Sequence, residues 1–307
     1  MIRVTFLGTA AARPTVGRNV SALSVQREGE SMLFDCGEGT QRQMMRYGTG
    51  FAVHTVFFTH MHADHFLGIV GLLRTLALQG RTDPMHLYGP RGAEPILRQA
   101  IGLGVERVRF PVRVTELAPG ERVEREEYDV IAYAVDHGTS AVGYALREHD
   151  RLGRFDVERA RELGVPEGPL FGRLHRGEPV EVDGTVIHPE EVVGTPRPGR
   201  TVVYSGDTLP CEATEEIARD AQLLVHDATF GDEEEERARE TYHATARQAA
   251  RLAARAGVRR LYLTHLSARY SDNPSVLERQ AREAYPDAVV ARDGQVVEIP
   301  YDDGEDR

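Results

Sequence analysis

The chain has 307 residues, 41% of them apolar and 28% charged, which supports a folded core of one large or two smaller domains and excludes a disordered or fibrous chain. The net charge of −11 excludes indiscriminate nucleic-acid binding over the whole surface, so any RNA contact has to come from a local positive patch. Lysine is absent, and every basic residue other than histidine is arginine. The two cysteines, Cys36 and Cys211, make no disulfide framework and are expected to be reduced, as in a cytoplasmic protein.

The chain enters a strand-like run at Val4–Leu7, with no basic segment leading into an apolar one, so no signal peptide is expected. Further β-branched, apolar runs predict strands at Met32–Phe34, Thr55–Thr59, His86–Tyr88, Val130–Val135, Thr201–Tyr204, Leu223–Val225 and Leu261–Thr264. Helices are predicted at about Asp64–Gln79, Gly92–Ile101, Thr245–Ala256 and Ser275–Ala284, with Gly257 as the stop of the third. The alternation gives an α/β layered domain. The longest apolar stretch, Phe66–Leu73, contains glycines and is too short to span a bilayer, so no membrane contact is expected.

One segment departs from this pattern. From about Arg151 to Pro198 the chain is rich in proline, glycine and charge, which suits a projecting insertion with few core contacts. Between Arg151 and Arg176 stand six arginines against four acids, and between Gly177 and Val192 five acids and no arginine. The expectation is an arm with a positive tip and an acidic root. A short acidic run, Asp302-Asp303-Gly304-Glu305-Asp306, closes the chain.

The strongest chemical signal is His60-Met61-His62-Ala63-Asp64-His65, directly after the Thr55–Thr59 strand. Three histidines and a carboxylate in six positions are hard to satisfy as ordinary core or surface residues. Imidazole and carboxylate with little thiolate suit zinc, and also manganese or iron. His137, Asp207 and His265 likewise follow apolar strands, and sites in open α/β sheets form at the carboxyl ends of strands. These seven candidates exceed the needs of one tetrahedral ion and suit two that share a carboxylate, an arrangement that recurs in phosphoester hydrolysis.

At these residues the sequence resembles the metallo-β-lactamase superfamily. It is similar, over essentially its whole length, to the short-form ribonuclease Z family of tRNA 3′-processing endonucleases. The resemblance is carried by Phe6-Leu7-Gly8-Thr9, Arg18-Asn19, Leu33 through Gln41 and the histidine motif. It continues through Tyr204-Ser205-Gly206-Asp207-Thr208, His226 through Phe230, and Thr264 through Tyr270. It implies a four-layer αββα sandwich with a projecting tRNA-binding arm, making one domain over residues 1–307 with the insertion at about 151–198. It implies two zinc ions per chain, with His60, His62, His137 and Asp207 on the first, Asp64, His65, Asp207 and His265 on the second, and Asp207 as the bridge. Asp64 would also accept a proton from the attacking water.

Two departures from the family pattern concern proton transfer. Asp227 stands where glutamate is usual, and His243-Ala244-Thr245 where His-Ser-Thr is usual. The resemblance makes Asp227 and His243 the relay to the leaving oxygen. The implied reaction cuts the 3′ trailer from precursor tRNA after the discriminator nucleotide, leaving a 3′-hydroxyl on the tRNA and a 5′-phosphate on the trailer, in a homodimer. Two rival readings are a small-molecule phosphodiesterase or ester hydrolase on the same fold, and a non-catalytic RNA-binding relative. A small substrate needs no distant clamp, and a retired site tends to lose ligands.

Overall fold

The computed structural model describes residues 1–105 and 107–301, and the acidic run Asp302 to Asp306 lies outside them. Two seven-stranded sheets carry the body of the chain, residues 1–147 and 201–300. The first has the spatial order Val296–Ile299, Ile2–Gly8, Ala22–Arg27, Glu30–Phe34, Val53–Phe57, Met85–Gly89, Val112–Glu116. Its first four strands pair antiparallel and the rest parallel. The second runs Val289–Val290, Leu261–Thr264, Leu223–Asp227, Thr201–Tyr204, Val142–Glu148, Tyr128–Ala134, Arg122–Glu124. Its first four strands are parallel and Val142–Glu148 joins Thr201–Tyr204 antiparallel.

Side chains alternate between the two faces of a strand, and the apolar pattern uses both faces. Ile2, Val4 and Phe6 enter a core with Tyr144, Val202, Tyr204 and Val225 of the other sheet, whereas Leu7 faces the opposite way. The outer face of the first sheet is covered by helices Thr40–Tyr47, Gly68–Leu78 and Ala93–Gly102. The outer face of the second is covered by Ala246–Ala256 and Ser275–Arg282. The result is the expected αββα sandwich.

Helix Ala246–Ala256 shows how its sequence sets its limits. Thr245 accepts the Gln248 amide, the Gln248 side chain returns to the Thr245 amide, and Gly257 ends the helix at φ 66°. Its buried face is mostly alanine, which lets the helix approach the sheet closely. The helix expected over Asp64–Gln79 is divided into Ala63–Phe66 and Gly68–Leu78. The Gly68 amide donates to the Cys36 carbonyl at 2.8 Å instead of continuing the helical ladder. A Cβ at Gly68 would come within 2.0 Å of the Gly37 carbonyl oxygen, so only glycine permits this approach.

Residues 148–200, with Tyr301, form a second compact unit. It contains helices Val157–Glu162 and Pro169–His175 and the hairpin Val180–Val182/Thr185–Ile187. Ala160, Val165, Leu174, Val180, Ile187 and Val192 give it a small core of its own, in contrast to the expectation of an insertion with few core contacts. At its base Arg200 and Glu148 make a buried bidentate pair, with two bonds of 2.7 Å. The Tyr301 ring lies 3.6 Å from the guanidinium of Arg151 and 3.6 Å from that of Arg200. The positive tip also differs from expectation. Arg159, Arg161, Arg173 and Arg176 pair with Glu162, Glu167 and Glu178, all on the exposed surface.

Candidate active site

The other six candidate metal ligands gather around Asp207. Its Oδ2 lies 3.2 Å from Nε2 of His265, 3.3 Å from that of His65, and 3.7 Å from those of His60 and His137. His62 joins through its Nδ1, 3.2 Å from His137 Nε2. Asp64 joins through Oδ2, 3.3 Å from His265 Nε2. Three overlapping groups result: His60, His62, His137 and Asp207; Asp64, His65 and His265; and Asp207, Asp227, His243 and His265.

The local chain explains this convergence. Strand Val53–Phe57 delivers Thr59 and His60 to the sheet edge, and His62, in extended conformation, starts the short helix that carries Asp64 and His65. Asp207 follows strand Thr201–Tyr204 through Gly206, at φ 60°, where a Cβ would meet Thr59 at 2.7 Å. His265 follows Leu261–Thr264 and takes the left-handed conformation at φ 59°, uncommon for histidine. Asp35, at the end of Glu30–Phe34, shares that conformation and is fully buried.

Hydrogen bonds at the far nitrogens fix the imidazole tautomers. His65 Nδ1 donates to the Asp35 carboxylate at 2.7 Å, and His137 Nδ1 donates to the Tyr242 carbonyl at 3.0 Å. Thr59 gives its hydroxyl proton to Asp35 and so accepts from His60 Nδ1 at 3.0 Å. Thr229 gives its proton to Asp227 and so accepts from His265 Nδ1 at 2.9 Å. In their neutral forms all four rings therefore aim an Nε2 lone pair at one place. His65 and His265 bring theirs within 3.4 Å of each other. His60 Nε2 and Asp207 Oδ1 are buried with no hydrogen-bond partner. Imidazole nitrogens and carboxylates converging on one place fit a cation, and the ligand set suits zinc.

Electrostatics agree. Burial, with the neighbouring imidazoles, holds His60 neutral, well below its ordinary range. Burial opposes ionisation of Asp207, but His265, His65 and His60 override it and hold the group well below the usual carboxylate range. Burial also opposes a charged His65, yet Asp207 and Asp35 raise its pKa; a metal ion would take the place of that proton.

Beside this cluster His243 Nδ1 lies 2.7 Å from Asp227 Oδ2. Asp227 is fully buried and its other oxygen accepts the Thr229 amide at 2.8 Å and hydroxyl at 2.7 Å. Burial disfavours the imidazolium, but Asp227 prevails and pulls the His243 pKa up to about 9. The shorter aspartate thus still reaches the histidine. A cavity of about 410 Å³ opens over His62, Asp64, Asp207, His243 and His265, and Arg13, Arg237 and Arg269 also line it. Asp35, Thr59 and Thr229 were not singled out from the sequence as site residues. An acid at a strand end was the available signal for Asp35, whereas nothing local marks the threonines.

Residues 15–265 match the model of the metallo-beta-lactamase superfamily. Ribonuclease Z of Myxococcus xanthus is 59% identical over 305 residues, covering 99% of both chains. The chain belongs to the ribonuclease Z family. Ribonuclease Z of Haloferax volcanii is 58% identical over 307 residues, covering 99% of this chain and 97% of its own. The crystal structure of human tRNase Z, short form, superposes with a TM-score of 0.70 at 27% identity, covering 97% of this chain and 99% of that one. Family membership and fold therefore agree with the site geometry, and no helix among the described residues is long and apolar enough to cross a membrane.

Proposed function

We propose that the chain is a zinc-dependent endoribonuclease that removes the 3′ trailer from precursor tRNA, cutting after the discriminator nucleotide. The observation that carries this reading is the convergence of four Nε2 lone pairs on Asp207 in a chain of the ribonuclease Z family. His60, His62, His137 and Asp207 would hold one zinc ion, and Asp64, His65, Asp207 and His265 the other. When bound, such a pair supplies Lewis acidity at the scissile phosphate and makes hydroxide available at neutral pH.

The protein's own groups then divide the proton transfers. Asp64, fixed by the Ala12 amide at 2.8 Å, accepts a proton from the attacking water. His243, protonated through Asp227, gives its Nε2 proton to the departing 3′ oxygen of the tRNA. The P–O bond to that oxygen breaks as the bond to the water oxygen forms, leaving a 3′-hydroxyl on the tRNA and a 5′-phosphate on the trailer. Asp35 and Thr59 keep His65 and His60 aimed at the site.

The unit at 148–200 would hold the tRNA body through its arginines, and the working enzyme would be a homodimer, as the sequence resemblance implies. Exposed ion pairs contribute only about 0–1 kcal/mol, so RNA phosphates can displace Glu162, Glu167 and Glu178 from those arginines at little cost. Incubation with a trailer-bearing precursor tRNA, followed by mapping of both new ends, tests the proposal. A cut after the discriminator with a 3′-hydroxyl supports it; a cut elsewhere, a 3′-phosphate, or no cut refutes it.

A further inference from the structure

A second cavity, of about 980 Å³, adjoins the metal-ligand pocket, and Arg13 and Ala268 line both. Arg18, Arg46 and Arg292 reach the new cavity as well. Arg18 is structural: its guanidinium donates to Thr9 Oγ1 at 2.7 Å and to the Ala291 carbonyl at 2.6 Å. Arg13, Arg46 and Arg292 are exposed, and among the described residues their side chains make no hydrogen bond or ion pair. Two aspartates also reach the cavity. Asp293 is turned inward, accepting from Thr9, Asn19 and Gln43 at 2.6–2.9 Å, and only Asp272 is exposed. Arg46 stands against the Tyr47 ring and acts on Asp293, yet four arginines against two aspartates leave the hollow net positive in a chain of net charge −11, which suits an anion.

A half-buried aromatic ring, Tyr47, also lines the cavity. The Tyr47 ring packs against Gly294, where a Cβ would come within 2.3 Å of the ring, and the Arg46 guanidinium stands 5.4 Å from its centroid. Aromatic rings beside cationic grooves are how proteins hold single-stranded nucleic acid without reading its sequence.

We propose that the cavity edged by Arg13, Arg46 and Arg292 binds the RNA strand that continues 3′ of the scissile bond, gripping its backbone phosphates. The inference rests on the ribonuclease reading above. There, His243 serves the oxygen that stays with the tRNA body, and His243 lines the metal-ligand pocket but not this cavity. In this proposal the strand beyond the scissile phosphate leaves away from His243, across the edge formed by Arg13 and Ala268 that the two cavities share.

The test uses the full-length zinc-loaded protein and precursor tRNAs with trailers of one or about ten nucleotides. The readout is the ratio of kcat/KM for the long trailer to that for the short one. Arg46→Ala/Arg292→Ala is expected to lower this ratio about tenfold, with Arg46→Lys/Arg292→Lys restoring part of it. Binding of a ten-nucleotide single-stranded RNA should lose about 1.4 from its log–log salt slope, roughly 0.7 per phosphate contact. An unchanged ratio with equal losses on both substrates would place the cavity on the tRNA side and overturn the inference, as would an unchanged ratio with no loss. If the parent cuts neither precursor, the ribonuclease reading fails, and the binding arm alone decides: an unchanged salt slope in a variant of normal melting temperature overturns the cavity assignment.

Discussion

The carboxylate of Asp35 lies 2.7 Å from Nδ1 of His65, and both side chains are fully buried. Asp35 accepts in addition from the Thr59 amide, the Thr59 hydroxyl and the Tyr204 hydroxyl, so one side chain organises three elements around the site. Asp35→Asn keeps the volume but replaces an acceptor with a donor. Loss of a partner behind a metal-binding histidine typically costs about 10–100-fold in metal affinity or activity. Zinc titration of the variant is expected to show one of the two sites weakened by about that factor, with the fold retained by circular dichroism.

His243 is held by Asp227 and stands outside both proposed ligand sets. His243→Ala is therefore expected to keep zinc content near normal while slowing cleavage by about 10²–10⁴, the usual worth of general acid–base catalysis. Elemental analysis beside single-turnover rates checks it; loss of metal in this variant would mean that the residue is a ligand.

The unit at 148–200 can be removed along its own seam. Arg147 and Thr201 are direct cross-strand partners, so an Asn-Gly turn between them should close a two-residue hairpin. Cutting there removes Glu148 and Arg200 together and leaves neither buried charge alone. The truncated protein is expected to keep zinc and to hydrolyse a small chromogenic phosphodiester near the parental rate. It should lose at least about tenfold in kcat/KM on precursor tRNA, equivalent to about 1.4 kcal/mol of transition-state binding. That loss should shrink as salt rises. Equal losses on both substrates would mean the unit supports the active site itself.

Burial pushes the Cys36 thiol up to about 12, with Asp35 adding to the shift. A folded-state pKa above the unfolded value of 9.0 favours the neutral thiol in the native protein. The stabilisation is complete below pH 9 and is lost as pH rises from 9 towards 12. Alkylation at pH 8–9 should therefore leave Cys36 untouched in native protein and modify it after denaturation, as peptide mass spectrometry would show. Cys36→Ala should flatten the fall of stability over that alkaline window.

Much of the site was legible because its ligands follow β-branched runs, whose strand signal is strong, and because three histidines crowd one strand end. Strand Val142–Glu148 was not foreseen. Gly143 and Ala145 weaken its strand signal, and Gly143 is there for packing, since a Cβ would strike the Tyr133 ring at 2.3 Å. The insertion hid its core because Val165, Leu174, Val180 and Ile187 are separated by prolines and glycines that break any periodic window. Pairing of Arg173 with Glu178 depends on the left-handed turn at Gly177, a three-dimensional event that charge counting does not register. Asp35 was visible as an acid at a strand end, but its work on His65 appears only when the two strand ends are brought together.

The most direct test of the two-metal account is a zinc titration of the metal-free protein, scored by precursor-tRNA cleavage and by elemental analysis of the same samples. The seven-residue cluster predicts activity that rises to a break at two equivalents per chain, and no recovery at any zinc level in Asp207→Ala. Full activity at one equivalent, or activity that survives complete removal of metal, would contradict it.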